Sequence, residues 1–154
     1  MIRKNELKRY AASIGLRVID GDYDHEKWKK AIHGFELEPE RGKRCQICFN
    51  YRLTETARVA FEEKIELFTT TLASSRWKDI EQINQAGLLA QERFPGTKYW
   101  DKNWRKGGLQ QRRNELLKIH GFYNQLYCGC EFSMRRLSPQ SCELILKQTL
   151  PKEI

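Results

Sequence analysis

Ile65-Glu66-Leu67-Phe68 runs straight into Thr69-Thr70-Thr71, and further along stands Thr97-Lys98-Tyr99-Trp100. Short runs rich in β-branched and aromatic residues read as strands; Ile65–Phe68 and, further upstream, Leu16–Ile19 are the two clear ones, and Thr97–Trp100 is a candidate third. Between them, Asp79 and Gln82 have capping-box spacing ahead of a helical pattern at about 80–93. Its apolar stripe is Ile80, Ile83, Gly87 and Ala90, and Pro95-Gly96 then turns the chain. Strand, helix and strand in succession predict an α/β domain with a mostly parallel sheet.

The alternation extends outward from this unit. Upstream, a helix at about 46–63 carries the stripe Leu53, Ala57, Ala60 and Phe61, preceded by a charged loop from Glu36 to Arg44. A helix over 25–33 turns Trp28 and Ile32 inward, Leu16-Arg17-Val18-Ile19 reads as a short strand, and a helix over 5–14 places Leu7, Tyr10, Ala11 and Ile14 on one face before a stop at Gly15. Downstream, Gly107-Gly108 breaks the chain before a helix at about 110–119, with Leu109, Leu116 and Leu117 inward and Gly121 ending it. The segments divide into one domain over 1–137 and a tail over 138–154, read as a short helix or a loosely held segment.

The composition is that of a globular protein, 40% hydrophobic and 31% charged. No run of about 18 apolar residues is present to span a membrane. The opening Met-Ile-Arg-Lys-Asn-Glu-Leu-Lys lacks a signal-peptide core, so a cytoplasmic location is expected. Net charge is +8. Basic residues concentrate at Lys98, Lys102, Arg105, Lys106, Arg112, Arg113 and Lys118, interleaved with Tyr99, Trp100 and Trp104. Basic groups neutralise phosphates and aromatic faces stack on bases, so this segment fits a nucleic-acid surface as well as a merely solvated one.

Four cysteines stand in two tight pairs, Cys45-Gln46-Ile47-Cys48 and Cys128-Gly129-Cys130, while Cys142 stands apart as a bystander. In a reducing compartment such pairs signal metal or redox chemistry. Three chemistries compete: a structural zinc site from all four thiols, an iron–sulfur cluster, and a dithiol couple at Cys128 and Cys130, whose small strained ring would be easily reduced. Cys45 and Cys48 open a helix, where first-turn amides favour thiolates. Cysteines that act only as small apolar residues are the bland reading.

The words around the pairs are more specific. Pro39-Glu40-Arg41-Gly42-Lys43-Arg44-Cys45-Gln46-Ile47-Cys48-Phe49 leads into Arg52-Leu53 and Thr56-Ala57. Phe68-Thr69-Thr70-Thr71-Leu72, Ile83-Asn84 and Trp104-Arg105-Lys106 follow. Phe122-Tyr123-Asn124-Gln125 then leads to Tyr127-Cys128-Gly129-Cys130-Glu131-Phe132-Ser133. In this order and spacing the chain, over about Met1 to Ser133, resembles the cobalamin-independent, iron–sulfur epoxyqueuosine reductases of the QueH type.

The resemblance implies a three-layer fold of the PP-loop/HUP kind. It implies reduction of epoxyqueuosine to queuosine at the wobble position of tRNA, the last step of queuosine biosynthesis, with electrons from a separate donor. It implies a 4Fe-4S cluster with an adjacent iron. Cys45 and Cys48 take the cluster-ligand positions, and Cys128 and Cys130 match the family's C-x-C, as a redox-active disulfide-forming pair or as further metal ligands. Arg105, Lys106, Arg112, Arg113 and Trp104 would meet the tRNA. The family's adjacent Cys-Cys and first strands would lie ahead of Met1, so the chain reads as N-terminally truncated. Tyr127, Tyr23 and His120 are candidate proton donors, each weighed against a packing role. The competing reading is a basic RNA-binding module with a structural zinc site made of four cysteines. A broader nucleotide-binding enzyme is disfavoured because no glycine-rich phosphate loop follows a strand.

Overall fold

The computed structural model describes residues 2–22, 24–134 and 137–149. Its elements are α1 (Ile2–Ser13), α2 (His25–Ala31), α3 (Lys43–Glu62), β1 (Leu67–Phe68), α4 (Ile80–Arg93), β2 (Lys98–Tyr99), α5 (Leu109–Ile119), α6 (Glu131–Met134) and α7 (Pro139–Thr149). A 3-10 turn, Thr71–Ser74, follows β1. The chain divides into two compact units, one over Asp24–Gln110 and one that joins the segment before it to the segment after it.

The 24–110 unit is built on β1, α4 and β2. The strands run parallel, with Leu67 opposite Lys98 and Phe68 opposite Tyr99. The Lys98 amide donates to Glu66 O at 2.7 Å and the Trp100 amide to Phe68 O at 2.8 Å. This is the expected α/β unit with a small parallel sheet. Asp79 caps α4 and accepts from the amides of Glu81 and Gln82. The Gln82 amide group reaches Arg41 O instead of closing the expected box.

The core lies between α3 and α4. Cys45, Phe49, Leu53, Ala57 and Ala60 recur at helical spacing on one face of α3 and pack with Ile83, Ala86 and Ala90 of α4 and with Phe68, Leu72 and Tyr99. Phe61, expected in this stripe, is 49% exposed. It is one residue, about 100° of helix, beyond Ala60 and falls at the border of the face. Its ring meets Phe94 at 6.0 Å instead.

In the other unit, two sequence expectations are corrected. Leu16–Ile19 forms no strand. A strand exists through its ladder, and no partner strand pairs with this run among the described residues; Leu16 and Ile19 stay exposed. Leu7 on α1 and Ile14 just after it are likewise exposed, and only Ala11 is buried on the helix. Tyr10 instead joins an aromatic group with His120 and Phe122, with ring centroids 4.9 and 5.2 Å away. Tyr123 N donates to Glu6 Oε1 at 2.8 Å, and Asn124 N donates to Gln148 Oε1 at 2.9 Å.

Three helices end in the same way. Leu16, Ile65 and Phe122 amides bond back to Ala11, Ala60 and Leu117 carbonyls, around left-handed Gly15, Lys64 and Gly121. Glycine announces two of these stops in the sequence, whereas Lys64 gives no such signal.

Tyr99 links this packing to pH. Burial, with Asp101 nearby, pushes its phenol up to about 12. Its hydroxyl bonds to Asn84 Oδ1 at 3.2 Å. The unfolded chain ionises near the ordinary value of about 10, so it releases its proton first and stability falls as pH rises from about 10 to 12. Urea titrations across that range are expected to show a steeper alkaline loss in the wild-type protein than in Tyr99→Phe. Equal slopes would refute the burial argument.

Candidate functional site

The start of α3 is held from several sides. Gly42 precedes the helix without a side chain to cap it, and the Glu38 carboxylate accepts the Lys43 amide at 3.0 Å in its place. Arg44 is 2% exposed. Its Nη1 donates to the carbonyls of Phe35, Glu36 and Glu38, the last two at 2.8 and 2.6 Å, and fastens the preceding loop to the helix.

Arg41 is the hub of this turn. It adopts φ 68°, a left-handed conformation that costs a non-glycine residue energy unless its surroundings impose it. In that conformation its amide donates to Cys45 Sγ at 3.3 Å. Its carbonyl accepts Gln82 Nε2 at 2.7 Å, and its Nη2 donates to Arg76 O at 3.1 Å. Gln82 Oε1 is buried without a hydrogen-bond partner. Cys45 is 8% exposed, and Cys48, one turn further along, is half-buried. The Arg41 amide and the helix-start amides bring partial positive charge to the Cys45 sulfur. Thiolates are soft donors suited to iron–sulfur chemistry. The α3 pair offers two sulfur atoms, and no three His, Cys, Asp or Glu side chains converge as a metal group among the described residues.

The loops leaving β1 and β2 emerge at the C-terminal ends of parallel strands, the edge at which open α/β sheets bind ligands. They are tied together. Thr69 Oγ1 donates to Trp100 O at 2.9 Å, Trp104 Nε1 donates to Thr70 O at 3.1 Å, and Arg105 Nη1 reaches Ser75 O at 3.5 Å. Trp104 stands edge-on to Trp100, centroids 5.4 Å apart and planes at 76°.

Cys128 and Cys130 belong to the other unit. Both are half-buried. Ser133 clamps them: its amide donates to Cys130 Sγ at 3.4 Å, and its hydroxyl accepts the Cys128 amide at 3.0 Å. Gly129 has φ 104°, and the Gln125 amide group fills the space a side chain there would need. Any other residue would meet both obstacles. No disulfide joins any of the five cysteines among the described residues.

The basic candidates differ in setting. Arg105 and Lys106 stand in the loop after β2. Arg112 pairs with Glu115 at 3.1 Å on the surface of α5. Arg113 bonds Asn114 and Asn124, and burial beside Arg3 lowers its pKa. Among the candidate proton donors, His120 sits in the Tyr10–Phe122 ring group. The Tyr127 carbonyl accepts Gln125 Nε2, and Tyr23 lies outside the described residues.

Sequence reasoning missed Arg41 and Ser133 as supports of the thiols. Ser133 follows Cys130 at the spacing of a helix cap, a readable signal. Arg41 offers none, because arginine has no preference for left-handed backbone.

Comparisons with known proteins bear on this arrangement. The family described as Epoxyqueuosine reductase QueH matches residues 1–136. A protein of that name from Histophilus somni (strain 129Pt) is 47% identical over 135 residues, which are 88% of this chain and 56% of that protein. The Acinetobacter baylyi protein of the same name is 44% identical over 135 residues and 62% covered. The one from Thermotoga maritima is 34% identical over 149 residues, 95% of this chain and 77% of that protein. The chain thus spans little more than half the length of its more similar curated relatives. The match runs through both thiol pairs and the loops after β1 and β2, and the chain belongs to the epoxyqueuosine reductase QueH family.

Proposed function

We propose that these residues form part of an enzyme that reduces epoxyqueuosine to queuosine in tRNA. The observation that carries the reading is the family match across Cys45, with its sulfur held by the Arg41 amide at the start of α3. The relatives' name supplies the reaction, and the thiol site supplies a place for it.

Removing the epoxide oxygen as water consumes two electrons and two protons. A 4Fe-4S cluster with an adjacent iron, when bound, supplies one-electron transfer and a Lewis acid for the oxygen. Cys45 and Cys48 would hold part of that centre, and the Arg41 amide and helix start would stabilise their negative charge. Cys128 and Cys130 serve as a redox pair or as further ligands, with Ser133 fixing the backbone and one sulfur. The PP-loop/HUP layering of the domain belongs to this proposal. Arg105, Lys106, Arg112 and Arg113 meet the tRNA backbone, Trp104 helps to shape the surface that receives it, electrons come from a separate donor, and the reaction takes place in the cytoplasm with other tRNA modification. No helix among the described residues is long and apolar enough to cross a membrane.

The test uses the 154-residue chain, and the same chain joined to the additional length its relatives carry, reconstituted anaerobically with iron and sulfide. With a chemical one-electron donor and tRNA carrying epoxyqueuosine, the extracted nucleoside is expected to lose one oxygen. Iron-replete protein that leaves the nucleoside unchanged refutes the reading. Stoichiometric zinc whose removal unfolds the chain supports the RNA-binding module instead.

A further inference from the structure

Two aromatic–cation pairs stand in the loops after β1 and β2. The Arg76 guanidinium lies 4.6 Å from the Trp77 ring centroid. Lys102 Nζ lies 6.0 Å from that of Trp100, the outer reach of such an attraction. Arg76 and Lys102 are exposed, Trp77 is half-buried, and Trp100 is 43% exposed. A large indole face left in water beside a cation is what a stacked base and its phosphate would cover.

Trp100 is set for this more firmly than a loop residue usually is. Its amide continues the β1–β2 ladder to Phe68 O, and its carbonyl accepts Thr69 Oγ1. The edge of Trp104 supports its ring, and Trp104 is pinned in turn through Nε1 to Thr70 O. Trp104 thus works as the buttress, and Trp100 offers the exposed surface. A side chain whose rotamer is fixed by its neighbours loses little entropy when a ligand stacks on it. The Arg76–Trp77 pair adjoins the thiol turn, since Arg76 O accepts from the guanidinium of Arg41, whose amide serves Cys45.

We propose that Trp100, with Lys102 at its face and the Arg76–Trp77 pair in the neighbouring loop, is a stacking platform for an unpaired nucleobase of RNA, beside the nucleotide presented to the thiol site. The proposal rests on the reading above and deepens it. Base-paired RNA keeps its bases stacked on one another, so the platform selects loops over duplexes. Lys102 turns from the ring to the phosphate of the stacked nucleotide.

Fluorescence anisotropy with a labelled, unmodified anticodon stem-loop RNA tests it, using a duplex of the same length as comparator. The wild-type chain is expected to prefer the loop RNA. Trp100→Ala is expected to weaken loop binding roughly tenfold and leave duplex binding unchanged. Trp100→Phe keeps a ring and should bind within about threefold of wild type. Lys102→Gln, at an exposed position, should lower the salt dependence by about one phosphate contact. Circular dichroism checks the fold of each variant; if Trp100→Ala does not fold, Trp100→Phe and Lys102→Gln carry the decision. Folded Trp100→Ala with wild-type affinity for the loop, a wild-type protein blind to the difference between loop and duplex, or an unchanged salt slope in Lys102→Gln each overturns the platform. Iron content and nucleoside product, measured on the same preparations, separate the two ideas. Queuosine formation with no dependence on Trp100 removes the platform and leaves the reductase. Trp100-dependent loop binding by iron-replete protein that forms no queuosine does the reverse.

Discussion

Cys45→Ser is expected to leave the chain folded and strip it of iron. Serine is close to cysteine in size and its hydroxyl can take over the Arg41 amide, so the α3–α4 packing has little cause to fail. As a metal donor it differs sharply, because a hydroxyl stays protonated near neutral pH and is a hard ligand where iron–sulfur chemistry wants a soft one. Loss of groups that only support a ligand costs about 10–100-fold in metal affinity, so loss of the ligand itself should exceed about 100-fold. Iron analysis after anaerobic reconstitution reads the effect, and circular dichroism reads the fold. Cys48→Ser should behave alike. Cys142→Ser is the control, since Cys142 is exposed on α7, away from either pair in sequence. Wild-type iron content in Cys45→Ser would remove the α3 thiols from the proposed centre.

The second large effect is on stability. Gly87 faces the Tyr99 ring so closely that even a single added carbon would overlap three of its ring atoms. Gly87→Ala gains about 1 kcal/mol of helix propensity and loses about 1–3 kcal/mol to overpacking, so the net change is expected to be destabilising by about 1 kcal/mol. Gly87→Val adds branching without the alanine-like propensity and should cost about 3 kcal/mol or more. For a chain of this size that lowers the melting temperature by roughly 6–12 °C, at about 2–4 °C per kcal/mol. Displacing Tyr99 also disturbs β2, whose Tyr99 amide donates to Gln91 Oε1. Trimming the ring as Tyr99→Leu should recover part of the loss in Gly87→Val, and strict additivity of the two changes would refute direct contact.

Much of the 24–110 unit is legible in the sequence, because its signals are local. The α4 boundaries follow from Asp79 and the Ile83–Ala90 stripe, and β1 follows from its apolar run, whereas β2 gives only the short signal of Thr97–Trp100. The start of α3 comes three residues earlier than expected, since its cap comes from Glu38 in the preceding loop, outside the usual capping pattern. Leu16–Ile19 misleads because strand propensity has no effect without a neighbouring ladder. At the site, the thiols stand out by residue type alone. Their supports do not: the Arg41 amide acts through a backbone angle, and the exposed face of Trp100 depends on where Trp104 packs. Side-chain identity picks out the thiols, and tertiary geometry decides what steadies them.

Arg41 has a mechanical consequence. One residue touches sulfur with its amide, the first turn of α4 with its carbonyl and the loop after β1 with its guanidinium. Thermal motion in any of the three is therefore passed to the others, like three rods meeting at one pin. Precision at the sulfur and precision in the loop after β1 rise and fall together.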